Sequence, residues 1–184
     1  MPRIPFDELP DDARVWVFGA SDSISTDDAK ALLSAVDGWL DEWTAHGEPL
    51  VCAREWREGR FLVIGVDQRT TGASGCSIDS LFQVLKGLET TLGNTLLGGD
   101  RIFYRAGAEA ILTTDRASFA ALAARNLVDD STIVFDTAVT DAGTYRTSFE
   151  KPSGRSWHRV LLNPASGRDA PPQTRHPVTT DKRD

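Results

Sequence analysis

An α+β fold, with a ferredoxin-like antiparallel sheet and two helices on one face, is what this sequence predicts. Three observations carry it. Strand and helix signals follow the order strand-helix-strand-strand-helix-strand through Tyr104, the order of a ferredoxin-like sheet. Two stretches repeat their apolar residues at helical spacing. Short glycine-containing turns join the adjacent strand pairs. The expected organisation is a ferredoxin-like core over residues 1–99 and a small β-β-α-β unit over 100–162, packing on that core or extending it. Residues 163–184 are expected to be a disordered tail.

Arg14-Val15-Trp16-Val17-Phe18, ended by Gly19, is apolar, β-branched and aromatic, and reads as the first strand. Ser25-Thr26-Asp27-Asp28 supplies a cap hydroxyl and early acids that suit a helix start. Leu32, Val36, Trp39, Leu40 and Trp43 then recur at helical spacing, and His46-Gly47 is expected to close the helix. Strands near residues 50–56 and 60–66 meet across Arg57-Glu58-Gly59, and the second is apolar throughout, as in a strand covered on both faces. A small-residue loop over 70–77 leads to a helix with Leu81, Leu85, Leu88 and Leu92 on one stripe, widened by Ile78 and Phe82. Residues 101–104 and 109–112 read as a hairpin across Ala106-Gly107. A third helix from Asp115 should point Phe119, Leu122 and Leu127 inward. Residues 132–135 read as a short strand, 139–150 give no clear pattern, and 156–162 form a terminal element anchored by Trp157. The Pro-rich, polar stretch after Pro164 cannot offset its ordering entropy.

Composition narrows the function classes. The chain has 184 residues, 20 Lys and Arg against 27 Asp and Glu, and a net charge of −7, which disfavours a nucleic-acid or membrane-surface partner. No apolar run approaches the roughly 20 residues of a membrane span, and the first residues lack the apolar core of a secretion signal. The two cysteines, Cys52 and Cys76, make no disulfide framework, so a cytoplasmic location is expected.

Five segments carry a resemblance: residues 4–16, 43–47, Gly72-Ala73-Ser74-Gly75-Cys76-Ser77-Ile78-Asp79, 134–136 and Ser156-Trp157-His158. Together they resemble an uncharacterised bacterial family of similar length, common in Bacteroidetes-type genomes and often labelled "ABC transporter ATPase". The resemblance implies no defined activity, and the label fails on the residues. An ABC ATPase needs a Gly-x-x-x-x-Gly-Lys-Ser/Thr loop whose amides and lysine hold phosphates. Here Cys76-Ser77 follow Gly75, with no lysine. A second resemblance, resting on hydrophobic spacing over residues 102–135, is to the GYF-related small domains of bacteria and implies a protein-interaction module. Asn126 stands where those domains usually have glycine.

The candidate chemistry centres on Cys76, just ahead of a helix, where unpaired amides and the helix dipole favour a thiolate. Gly72 and Gly75 could let amides approach a small anionic ligand, with Ser74, Ser77 and Asp79 adding polar groups at the same turn. The competing reading makes Ser74 or Ser77 the helix cap, Asp79 a first-turn acid and Cys76 a buried filler. A thiol nucleophile needs a base. His158 is the candidate, because His46 ends the first helix and His176 lies in the tail. No Cys-x-x-Cys or His-x-x-x-His is present, so neither metal nor cofactor is expected. Two expectations result. The first is a cytosolic binding or adaptor protein that meets a protein partner through its C-terminal unit and the Trp157-His158 segment. The alternative is a small thiol-dependent enzyme of acyl-transfer or hydrolase type, with Cys76 as nucleophile and His158 as base.

Overall fold

Every residue of the strand Phe61–Val66 is buried, and its side chains alternate between two cores. Phe61 and Val63 enter one, while Leu62, Ile64 and Val66 enter the other. That alternation fixes the architecture, since successive strand residues face opposite sides of a sheet. The structure is a computed structural model and describes residues 3–69, 71–107 and 110–163.

The first sheet joins β1 (Arg14–Gly19), β4 (Cys52–Arg57) and β5 (Phe61–Val66), antiparallel, in the order β1-β5-β4. Helices α1 (Thr26–Asp41) and α2 (Gly75–Leu92) cover one face. Leu32, Val36 and Leu40 of α1 and Leu81 and Leu85 of α2 pack there with Phe18, Leu62 and Ile64. Asp37 of α1 accepts two hydrogen bonds from the Arg54 guanidinium, at 2.6 and 2.7 Å, which fastens α1 to β4. Arg54 holds the Asp37 carboxyl below its ordinary pKa.

A second sheet lies against the other face. It contains β6 (Ile102–Ala106), β7 (Ala110–Thr114), β8 (Ile133–Phe135) and β9 (Glu150–Pro152), in the order β7-β6-β8-β9. Phe61, Val63 and Ala53 meet Phe103, Phe135 and Phe149 between the sheets, with the Phe61 ring 4.9 to 5.1 Å from the three phenylalanine rings. α4 (Ala142–Ser148) adds Ala142 and Tyr145 to this core. The outer face of the second sheet is covered by α3 (Arg116–Ala124) and α5 (Arg159–Leu162), around Ile102, Tyr104, Phe119 and Val134. The molecule is therefore a helix-sheet-sheet-helix sandwich.

The mixed α+β class and the doubly covered β5 agree with the sequence reading, and several details differ from it. The strand at 102–106 is not hydrogen-bonded to β1 as a ferredoxin-like sheet requires; it starts the second sheet. Its side chains feed two cores, Phe103 inward and Ile102 and Tyr104 outward, so it needs a layer on each face. α1 ends at Asp41, and His46 and Gly47, with φ of 53° and 81°, turn a two-residue hairpin between β2 (Thr44–Ala45) and β3 (Glu48–Pro49). Two successive positive φ values are the signature of such a turn, so His46 is not a helix cap. Trp43 keeps its buried place beyond the helix, with Nε1 donating to Ser77 O at 3.0 Å. Leu127 is 58% exposed rather than inward, because α3 stops at Ala124 and Val128 fills the core instead. The unpatterned stretch 139–150 holds α4, capped by Asp141, and opens β9. The tail expected over 163–184 lies, after Asn163, outside the described residues. Among the described residues no helix is long and apolar enough to cross a membrane.

Candidate functional site

The turn before α2 is built as a helix start. Ser74 is the N-cap, and its Oγ accepts from the Ser77 amide at 3.2 Å. Ser77 Oγ donates back to the Ser74 carbonyl at 2.9 Å. The Ser77 carbonyl takes bonds from Trp43 Nε1 and Ser80 Oγ. Neither glycine of the turn is demanded by close approach: a Cβ on Gly75 would meet open space, and one on Gly72 would make ordinary contact with Gln68. Asp79 is exposed and lies past the first turn, which holds no acid, so it is not placed to serve the helix dipole. Cys76 is exposed, not a buried filler. The other cysteine, Cys52, is buried, and desolvation pushes its thiol up to about 11.

His158 occupies the opposite outer layer. It is 1% exposed, shares a 2.8 Å hydrogen bond with Ser156 Oγ, stacks on Trp157 and meets the Phe119 ring edge-on. Burial lowers its pKa to about 4, so it is neutral at pH 7. Trp157 is itself tied down, its Nε1 donating to Asp136 Oδ1 at 3.0 Å. Both sheets stand between the α2 layer and the layer that holds His158. The structure does not bring Cys76 and His158 together; in the Trp157-His158 segment His158 is buried, while Trp157 is half-buried against the outer core. Among the described residues no three His, Cys, Asp or Glu side chains gather as a metal-holding group.

An incomplete arrangement appears instead at the free edge of β1. With β5 on one side only, the odd-numbered residues of this segment turn their backbone groups outward. Val15 N–H donates to Thr140 O, Ser21 N–H to Thr95 O, and Ala13 O accepts from Ala142 N–H, each at 2.9 Å. The even-numbered Ala20 N–H turns inward, to Arg60 O. By the same alternation the N–H and C=O groups of Val17 and Gly19 face outward. Among the described residues no protein group bonds to either amide. The edge is thus occupied at Val15 and Ser21, about 20 Å apart at roughly 3.3 Å per residue, and open between them, a window at Val17 and Gly19.

A cavity of about 280 Å³ lies beside this window, lined by Trp16, Phe18, Phe82, Leu97, Phe103 and Val139 among others. Phe82 is 38% exposed although aromatic, its ring edge-on to Phe18 at 5.7 Å. Gly19 is needed where it stands, because a Cβ there would collide with the Phe103 ring. An open strand edge beside an apolar groove can pair with an extended chain and house its alternate side chains. The sequence signals for this site were faint: Phe82, which widens the α2 stripe, and the apolar Leu96-Leu97 pair ahead of Gly98-Gly99. Comparison with known protein families, with curated proteins and with solved structures finds no match for this chain.

Proposed function

We propose that this protein is a binding or adaptor protein, without nucleotide-hydrolysing activity, that takes up an extended peptide segment as an added strand along β1. The observation that supports this reading is the pair of outward, unbonded amides at Val17 and Gly19 beside the apolar cavity. A main-chain bond to a guest strand exchanges bonds to water for bonds to protein, a net gain of about 0.5–1.5 kcal/mol each. The guest has apolar residues at alternate positions. Those on the Trp16 and Phe18 side pack on Phe82 and Leu97, and main-chain bonds supply the rest of the affinity.

The test is selection from a displayed heptapeptide library, followed by titration and amide hydrogen exchange with the enriched peptide. The expected result is an alternating apolar peptide that protects the Val17 and Gly19 amides on binding. Val17→Pro removes an outward donor without touching the ladder to β5, a change edge strands tolerate, and weakens the peptide at least tenfold. Failure to enrich any peptide, or enrichment of one that leaves both amides unprotected, overturns the reading.

A further inference from the structure

Arg60 is an arginine that the fold buries, with 7% of its surface exposed. Its Nη1 donates to Thr113 Oγ1 at 2.8 Å, and no carboxylate among the described residues lies within salt-bridge distance of it. The acids at this rim of the sandwich are already engaged. Glu150 pairs with Arg57 at 3.2 Å and Arg105 at 2.8 Å, and Glu58 pairs with Arg105 at 2.9 Å. Among the described residues, three guanidinium groups therefore meet two carboxylates at this rim, and Arg60 is the one without an ion-pair contact. Desolvation holds its pKa below the ordinary arginine value, opposed only by the more distant Asp22, yet a guanidinium stays protonated in proteins. A buried charge without a partner is among the costlier features a fold can carry.

This side chain lines a cavity of about 290 Å³ together with Ser23, Glu58, Ala110 and Ile111. Five N–H donors belong to a guanidinium, and one of them is used by Thr113. The cavity near Arg3 differs in the feature that matters, because both of its arginines are matched by Asp37.

We propose that the cavity at Arg60 and Ser23 binds a small oxyanion, with the guanidinium fork as its main contact and the Ser23 hydroxyl beside it. A planar fork suits the paired oxygens of a phosphate or carboxylate group and is strengthened by low local polarity. The site is independent of strand addition at β1, since Arg60 lies on the far side of that strand's backbone, toward β5.

The experiment titrates the full chain with inorganic phosphate and, separately, with acetate at constant ionic strength set by sodium chloride. The Arg60 side-chain Nε–H resonance and the thermal midpoint are followed together. The expected result is a saturable shift of the Arg60 resonance and a raised midpoint with at least one of the two anions. Arg60→Met abolishes the rise, and Arg60→Lys weakens binding at least tenfold. A response to phosphate alone assigns the phosphate class, and a response to acetate alone assigns the carboxylate class. An Arg60 resonance unmoved by both anions, or a midpoint that rises equally in Arg60→Met, overturns the proposal. The resonance is read in the unaltered protein, so the test stands even if a variant fails to fold.

Discussion

The turn at residues 72–79 and the edge of β1 differ in a way that residue types alone conceal. The turn carries the thiol, the hydroxyls and the glycines that chemistry favours, and its cap is nonetheless closed by Ser74 and Ser77. The edge carries Val17 and Gly19, with no reactive side chain, and its outward amides are unbonded among the described residues. A capped helix start has its first amides already bonded, whereas an open strand edge leaves main-chain groups that a further chain can meet.

The sharpest separation between the two regions should come from the partner once expected for Cys76. Burial lowers the His158 pKa to about 4, against an ordinary 6.5, so between these values the unfolded chain binds more protons than the native one. Stability attributable to His158 is then full above about pH 6.5 and falls as pH drops toward 4, by up to about 3 kcal/mol. Denaturant unfolding across that range should show the slope in the wild type and a flatter profile in His158→Gln.

Gly19→Ala comes next, with an expected loss of about 1–3 kcal/mol from forcing a Cβ against the Phe103 ring. The double variant with Phe103→Leu should recover part of it, as a coupling energy in a double-mutant cycle. Ser74→Ala should cost about 1 kcal/mol, the ordinary value of a lost helix cap. Cys76→Ser should move stability by less than about 0.5 kcal/mol, as an exposed surface substitution does. A large loss in either of the last two would mean that the turn does more than begin a helix.

What could be read from the sequence was local. The apolar run of β5, the stripe of α2 and the turns at Glu58-Gly59 and Gly93 depend on neighbours a few residues apart, and they stand where the pattern put them. The end of α1 was not legible, because Trp43 keeps helical spacing with Trp39 although the chain has already left the helix. The stacking of two sheets was equally hidden. An alternating strand such as β6 looks the same whether it lengthens one sheet or founds another, and only the faces offered by distant residues decide. His158 shows the same limit: nothing in Ser156-Trp157-His158 tells that the imidazole packs under Phe119. The window on β1 was out of reach for a further reason. It depends on which carbonyls, at Thr95 and Thr140, close the edge and where they stop.

Arg146 joins the two ends of the described chain. Its guanidinium donates to Asp11 Oδ1 at 2.6 Å and to the carbonyls of Phe6 and Leu9 at 3.1 and 2.7 Å. Beside it, Gly143 N–H meets Asp11 O. The same N-terminal segment is also held by the first sheet, where Ile4 N–H donates to Cys52 O at 3.0 Å and Leu9 packs over Gly65, so Arg146 adds a second, long-range fastening to it. The core between the sheets draws on both halves of the chain: Leu9, Ala53, Phe61 and Val63 come from the first, and Phe103, Phe135 and Phe149 from the second. Contacts that span so much of the chain are of the kind that slows folding.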